Sequence, residues 1–441
     1  MNHSYVRRYL GSNMRANPST SVIIQYALIG FPLAFAGLPL YLHAPDFYIA
    51  EMGLNLGVLG SVLLLIRLID AVQDPFIGRL SDRYPQHRAA IMLLGALLLF
   101  TGMALLFAIP PVFFSPMLWF AVSMILATTG FSILTIHVTM LGGLWSSHTE
   151  VKNRVSAWRE GMALIGLLTA SILPATIALQ YSAYTAYTVL FIVFAISLVL
   201  AYGLLMRVYP QAESVVTHSA TASNSINTFF QLLTGRLKHF WLLCFINHLA
   251  AAVPAVLVLF FIRDYLGAED YTGLFLMIYF LSGALLMPFW VKLAKKIGQE
   301  KAWLSAIVLA VVTFLWAYWL EAGDVLLYGG ICFSAGMALG ADLTLPPALL
   351  GKYLERYQCQ YQATQHYALL ALMPKLSLAI ASGSAFIYLD SQGFEAASNN
   401  SQQALSSLIT VYALIPCLIK ILAGLLIWRW IKKQESTYEP S

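Results

Sequence analysis

Charge is scarce in this chain. Asp, Glu, Lys and Arg make up only 10% of its 441 residues, against about 25% in soluble domains. That shortage rules out water as the solvent for most of the surface and leaves bilayer lipid in its place. Cysteine is scarce as well. Cys244, Cys332, Cys359 and Cys417 stand far apart with no metal-ligand or redox spacing, and they are read as buried or free thiols. No Ser/His/Asp set and no paired-histidine metal motif falls at mid-membrane depth, because His137, His248 and His366 lie on separate apolar runs. An intramembrane enzyme, for instance one acting on lipid, is therefore the weaker class, and no cofactor is expected. The net charge of +5 is spread along short loops, so no nucleic-acid partner is expected.

What the chain has is apolar length. It is 59% hydrophobic with a mean hydropathy of +0.74, and each crossing needs about 20 apolar residues. The runs predict twelve spans. Six lie at 22–45, 54–82, 89–110, 116–144, 153–180 and 184–207. Six more lie at 239–264, 271–294, 301–320, 324–350, 365–390 and 404–431. Between the sets, 208–238 is polar and rich in Ser, Thr and Asn, a flexible linker by composition. The expected architecture is all-α, with a six-helix bundle at 1–207, the linker at 208–238 and a second bundle at 239–441. Arg7, Arg8 and Arg15 precede a first run too long for a cleavable signal, so that run is expected to stay as a span.

The basic residues sort to one side. Arg79, Arg83 and Arg88 follow span two, Lys152 and Arg154 span four, Lys292 to Lys301 span eight, and Lys352 and Arg356 span ten. The opposite loops carry Asp46, Glu51, Glu269, Asp270, Glu321, Asp324, Asp390 and Glu395, with Arg263 the exception. The positive-inside rule then places both termini in the cytoplasm. A compact chain with short tails fits a bacterial inner membrane, and a monomer is expected. A weak repeat links the halves: Gly78-Arg-Leu-Ser-Asp82-Arg83 after span two, and Val291-Lys-Leu-Ala-Lys-Lys-Ile-Gly298 after span eight. Two pseudo-symmetric halves around a midplane site is a carrier architecture.

The chemistry concentrates in span two. Asp70 and Asp74 sit one helical turn apart inside an apolar run, with Arg67 one turn earlier on the same face. Each charge at the bilayer centre costs about 2.5–3.5 kcal/mol or more, and adjacent carboxylates repel. The natural partner is a cation that enters, binds and leaves. Pro75 also frees the Ala71 carbonyl on that face, adding an oxygen for Na⁺, whereas one acid alone would serve H⁺. The plainer reading is an internal salt bridge from Arg67, which leaves the second acid unexplained. Lys375, in Leu372-Met-Pro-Lys375-Leu-Ser-Leu, is the other charge at mid-depth and is expected, with Arg67, to link cation and solute occupancy. The candidates for holding solute are Tyr26, Thr135, Thr139 and Trp158, with Arg159 beside Trp158 at the start of span five. An interfacial belt position is the favoured alternative for Trp158. Thr128 and Ser132 share the stripe of Thr135 and Thr139, and hydroxyls so spaced also bond their own helix. Asn247 and His248 remain open candidates, Asp342 before Pro346-Pro347 reads as a helix-break or gating position, and Lys420 is ambiguous.

Leu65-Ile-Arg67-Leu-Ile-Asp70-Ala-Val-Gln-Asp74-Pro75-Phe-Ile-Gly78 resembles the span-two signature of the glycoside–pentoside–hexuronide:cation symporters of the major facilitator superfamily. Arg154-Val-Ser-Ala-Trp-Arg159 is similar to their basic motif entering span five, and Lys375 to their span-eleven lysine. The resemblance implies a major facilitator fold, a cation site at Asp70 and Asp74 coupled through Lys375, and Arg159 beside the solute. It implies Na⁺- or H⁺-coupled transport of a sugar or glycoside by alternating access, with the lipid bilayer as surroundings. The chain departs from the sugar carriers in having no acid in Gly30–Gly37 of span one or Leu134–Val138 of span four. The lysolipid carriers of the same branch share the span-two pattern, so a lipid-like or amphiphilic solute is the alternative.

Overall fold

The computed structural model describes residues 18–111, 114–144, 149–216, 237–357 and 363–436. The described residues contain helices and no strands, and twelve helices are long and apolar enough to cross a membrane. In chain order they are α1 (Thr20–Ala50), α2 (Leu56–Arg83), α3 (Arg88–Phe107), α4 (Pro116–Leu144), α5 (Thr149–Ala178) and α6 (Ala183–Val216). The second set is α7 (Lys238–Tyr265), α8 (Thr272–Ile297), α9 (Gln299–Leu315), α10 (Val325–Arg356), α11 (Ala363–Ser391) and α12 (Gln402–Lys432).

Local chemistry sets the ends. Asn55 caps α2 by accepting from the Val58 amide at 2.9 Å, and Ser401 caps α12 by accepting from Ala404 at 3.2 Å. Gly298 joins α8 to α9 at φ +89°, a conformation that a side chain disfavours. One end differs from expectation. α6 continues to Val216, nine residues into the segment read as linker, because Val208 and Tyr209 prolong its buried stripe beyond Arg207. The rest of that segment, 217–236, lies outside the described residues, as do Arg7, Arg8, Arg15 and Cys359. Cys244, Cys332 and Cys417 are buried free thiols.

Small residues let the helices approach closely. A Cβ on Gly130 of α4 would run into the Leu99 backbone of α3, the contact by which helices associate in lipid. Between the first six helices and the last six, α2 packs on α11 and α5 on α8. The loops after odd-numbered helices define one end of the bundle, here the far end; the loops after even-numbered helices define the near end.

The far end is tied shut by polar bonds between the two sets. Arg263 of α7 pairs with Asp46 of α1 at 2.8 Å and with its neighbour Asp264 at 3.1 Å. Asn55 donates to Asp390 of α11 at 2.7 Å. Each chain segment at that lock contains a π turn, Pro39–His43 in α1 and Phe261–Tyr265 in α7. The apolar core follows the same division. One buried cluster fills the first six helices and continues into the far-end portions of the last six, through residues such as Phe260, Tyr328, Phe386 and Tyr412. The near-end portions of the last six pack separately around Trp241, Trp290, Trp303 and Tyr353.

Candidate functional site

α2 is strongly two-faced. Leu65, Ile69, Val72 and Phe76 point outward, whereas Arg67 is 4% and Asp70 3% exposed. The helix therefore spends its lipid-facing surface on apolar residues and turns its charges toward α4 and α11. Asp74 is half-buried one turn further on.

The lysine of α11 meets both acids. Lys375 Nζ lies 3.2 Å from Asp70 Oδ2, donates to Asp74 Oδ2, and donates to Ser132 Oγ of α4 at 3.1 Å. Pro374 precedes it inside the helix, and a proline there frees the carbonyl four residues back. Asp70 is saturated: its Oδ1 also accepts from Gln73 Nε2 at 2.8 Å and from Ser132 Oγ at 2.9 Å. Thr129 in turn donates to Gln73 Oε1 at 3.0 Å. Asp74 is not saturated. Its Oδ1 is buried and has no hydrogen-bond partner, an arrangement that carries a cost until a donor or cation arrives.

Arg67 takes a different place from the one expected of a second partner for the acids. It donates to the Tyr41 carbonyl of α1 at 3.4 Å and stands 5.5 Å from the Tyr41 ring centroid, with Nε and Nη1 buried and unpartnered. At ion-pair distance the carboxylates' partner is Lys375.

The five residues expected to hold solute fall into separate groups. Arg159 donates to Thr139 Oγ1 at 3.2 Å and to Glu160 Oε1 at 2.5 Å, and the Gly30 backbone packs directly on it. Tyr26 donates to the Val138 carbonyl at 2.7 Å on the same side of α4. Thr135 lies one turn closer to Ser132, with a buried Oγ1 that has no partner. Trp158 is 37% exposed. Of the hydroxyl stripe on α4, Thr128 bonds back to the Met124 carbonyl at 2.8 Å, and His137 packs with Nδ1 2.7 Å from the Ile133 carbonyl.

The main cavity lies elsewhere. It has a volume of about 460 Å³ and is walled mostly by apolar residues of the last six helices, with Gly37, Tyr41 and Leu42 of α1 closing the opposite side. Two of its lining residues stand beside the site, Tyr41 in contact with Arg67 and Leu378 one turn after Lys375. None of Arg159, Tyr26, Thr135, Thr139 and Trp158 lines it. Two charges do, Asp342 and Lys420, which pair at 2.7 Å.

Gln73 and Thr129 escaped the reading of the sequence, although Gln73 stands three residues after Asp70, the spacing at which helical neighbours meet. The Asp342–Lys420 pair escaped it too. Its members and their partners come from four helices, and no local spacing announces them. Among the described residues no three His, Cys, Asp or Glu side chains converge as a metal site.

A twelve-helix bundle with a charged cluster buried between α2 and α11 is the build of a membrane carrier. Residues 23–432 match the family described as MFS/sugar transport protein, and the chain belongs to that family. The resemblance seen in α2, α5 and α11 is borne out at the level of the family: the chain is a multi-pass membrane transporter of the major facilitator type, not an enzyme. The inner membrane symporter YicJ of Escherichia coli K12 is 26% identical over 136 residues, 30% of this chain and 30% of the relative. YagG of the same strain, provisionally assigned as a glycoside/cation symporter, is 29% identical over 132 residues, 28% of each chain. These matches span less than a third of either relative. The nucleoside transporter NupG superposes with a TM-score of 0.69 at 13% identity, over 94% of this chain and 100% of its own. The xylose transporter XylE of E. coli, in a partially occluded inward-open conformation, superposes with a TM-score of 0.58 at 14% identity, over 93% and 96%. At such identities the superpositions show the fold.

Proposed function

We propose that the protein is a secondary active carrier that couples entry of a small organic solute to Na⁺ or H⁺ bound at Asp70 and Asp74. The observation that carries this reading is the position of Lys375. Its ammonium occupies the space between the two carboxylates, where a cation would sit, while Asp74 Oδ1 remains buried without a donor. Arg67, Asp70, Asp74 and Lys375 together sum to zero charge, so the empty site can cross a low-dielectric region at little cost.

An arriving cation displaces Lys375 from Asp74 and releases the α2–α11 contact. The two halves, 1–207 and 239–441, then rock about their shared interface. On this reading both termini are cytoplasmic and the far end faces outside, where the shared core and the Arg263–Asp46 pair hold the halves together. Tyr41 and Leu378 carry the change to the cavity, so solute and cation affect each other's binding through the same two helices.

The family supports a sugar- or glycoside-like solute, held in the first half by Arg159, Thr139, Thr135 and Tyr26. The apolar cavity wall favours a second reading, an amphiphilic or lipid-like solute. Proteoliposomes under an imposed Na⁺ or H⁺ gradient test both, offered a panel of labelled sugars, aryl glycosides and lysolipids. Accumulation above the outside concentration is the expected result. Entry that only equilibrates, indifferent to either ion, would defeat the coupled mechanism.

A further inference from the structure

The Asp342–Lys420 pair stands in the second half, apart from the span-two acids, and nothing in the coupling cycle uses it. Asp342 is held from three directions: Asn247 Nδ2 donates to Oδ1 at 2.9 Å, Trp303 Nε1 to the same oxygen at 2.8 Å, and Lys420 Nζ to Oδ2 at 2.7 Å. Lys420 is 7% exposed and has Asp342 as its ion-pair partner, which leaves two of its three N–H bonds to offer. Both residues line the main cavity. A buried ion pair is a weak source of stability, because desolvating two charges offsets most of their attraction. A pair placed on a cavity wall instead gives an otherwise apolar chamber one polar pole.

We propose that this pair is a solute-binding site of the second half, gripping a hydroxyl of a neutral solute whose apolar or aromatic body fills the chamber. The proposal rests on the carrier reading and adds a site to it. A hydroxyl suits the pole because it accepts from Lys420 and donates to Asp342 Oδ2 at once, entering between them without changing the net charge. Asn247 and Trp303 keep Oδ1 satisfied while Lys420 turns partly to the solute, so Asp342 is never stripped. An anionic head would instead leave one uncompensated negative charge in the chamber. A free sugar is also a poor fit, since it has no apolar body for the wall, whereas a glycoside turns its aglycone to the wall and its hydroxyls to the pole. Of the four tyrosines that line the chamber, Tyr41, Tyr279, Tyr328 and Tyr412, the last two are spent on each other at 2.6 Å. A cavity of about 460 Å³ is within the range of small-molecule sites.

Thermal melting of the purified protein tests this with three probes: phenyl β-D-glucoside, glucose and phenylacetate. Phenyl β-D-glucoside should raise the melting temperature by several degrees, and the other two should not. In the charge-balanced D342N/K420Q variant the concentration needed should rise by about tenfold or more, the loss of roughly one charged hydrogen bond. Ala338→Phe, which fills the chamber one turn from Asp342 and leaves the pair intact, should abolish the shift as well. No shift with phenyl β-D-glucoside, an equal shift in D342N/K420Q and A338F, or a preference for phenylacetate overturns the proposal. Cation dependence of uptake is read separately, at Asp74. If that dependence is missing while the glucoside shift still needs the pair, the coupling reading fails and the second-half site stands.

Discussion

Asp70 and Asp74 differ in what they stand to lose. Asp70 has Gln73, Ser132 and Lys375 around it, whereas Asp74 has Lys375 on one oxygen and nothing on the other. Asp74→Asn leaves Lys375 paired with Asp70 and Ser132, so the fold should hold. Gradient-driven accumulation in proteoliposomes should nevertheless fall by at least about tenfold, because a neutral amide cannot replace a charged cation ligand. Lys375→Met should do the reverse in relative terms. It leaves two carboxylates facing each other without a counter-charge, a loss of about 3–5 kcal/mol in a buried pair, visible as a melting temperature well below that of Asp74→Asn. Equal melting temperatures for the two variants would contradict the assignment of Lys375 as the bridging charge. These three residues were legible in the sequence because each is a charge stranded in an apolar run. Asp342 and Lys420 are not legible as a pair, since 78 residues separate them and they stand on different helices.

At the scale of elements, hydrophobic runs located the helices well because lipid requires unbroken apolar length and self-satisfied backbone. The exception is α6, where Arg207 looked like a boundary although Val208 and Tyr209 keep the helix packed. Runs of hydropathy also say nothing about which helices touch. The α3–α4 contact at Gly130 becomes visible only once Leu99 is seen against it. Gly130→Leu should therefore separate these helices and lower the melting temperature by several degrees, while Gly203→Leu, where an added Cβ meets nothing, should leave it within about a degree. A similar fall in both would show that close approach at Gly130 is not what holds α3 on α4. The far-end lock is a second element-level feature: α1 and α7 each contain a π turn where Arg263 and Asp46 meet. Arg263→Met strips Asp46 and Asp264 of their shared partner. It should raise cysteine-reagent labelling of an Ala50→Cys probe at the far end by several-fold, and unchanged labelling would argue that the apolar core alone keeps that end closed.

For the whole molecule, the arrangement of cores sets where the halves are joined. The halves share buried apolar surface at the far end and pack independently at the near end. The joint can therefore be remade on the other side without unfolding either half, which is what two alternative packings of rigid bodies require. In the proposed cycle, solute and cation cross together because Asp74 exchanges Lys375 for the cation. Its most direct measurement uses no imposed ion gradient. Proteoliposomes receive an inward gradient of transported solute alone, and internal Na⁺ and pH are recorded. The wild-type chain should drive one of the two ions inward against its electrochemical balance, and Asp74→Asn should let solute equilibrate with no ion movement. Ion entry of equal size in Asp74→Asn, or solute entry with no ion movement in the wild type, would contradict the claim.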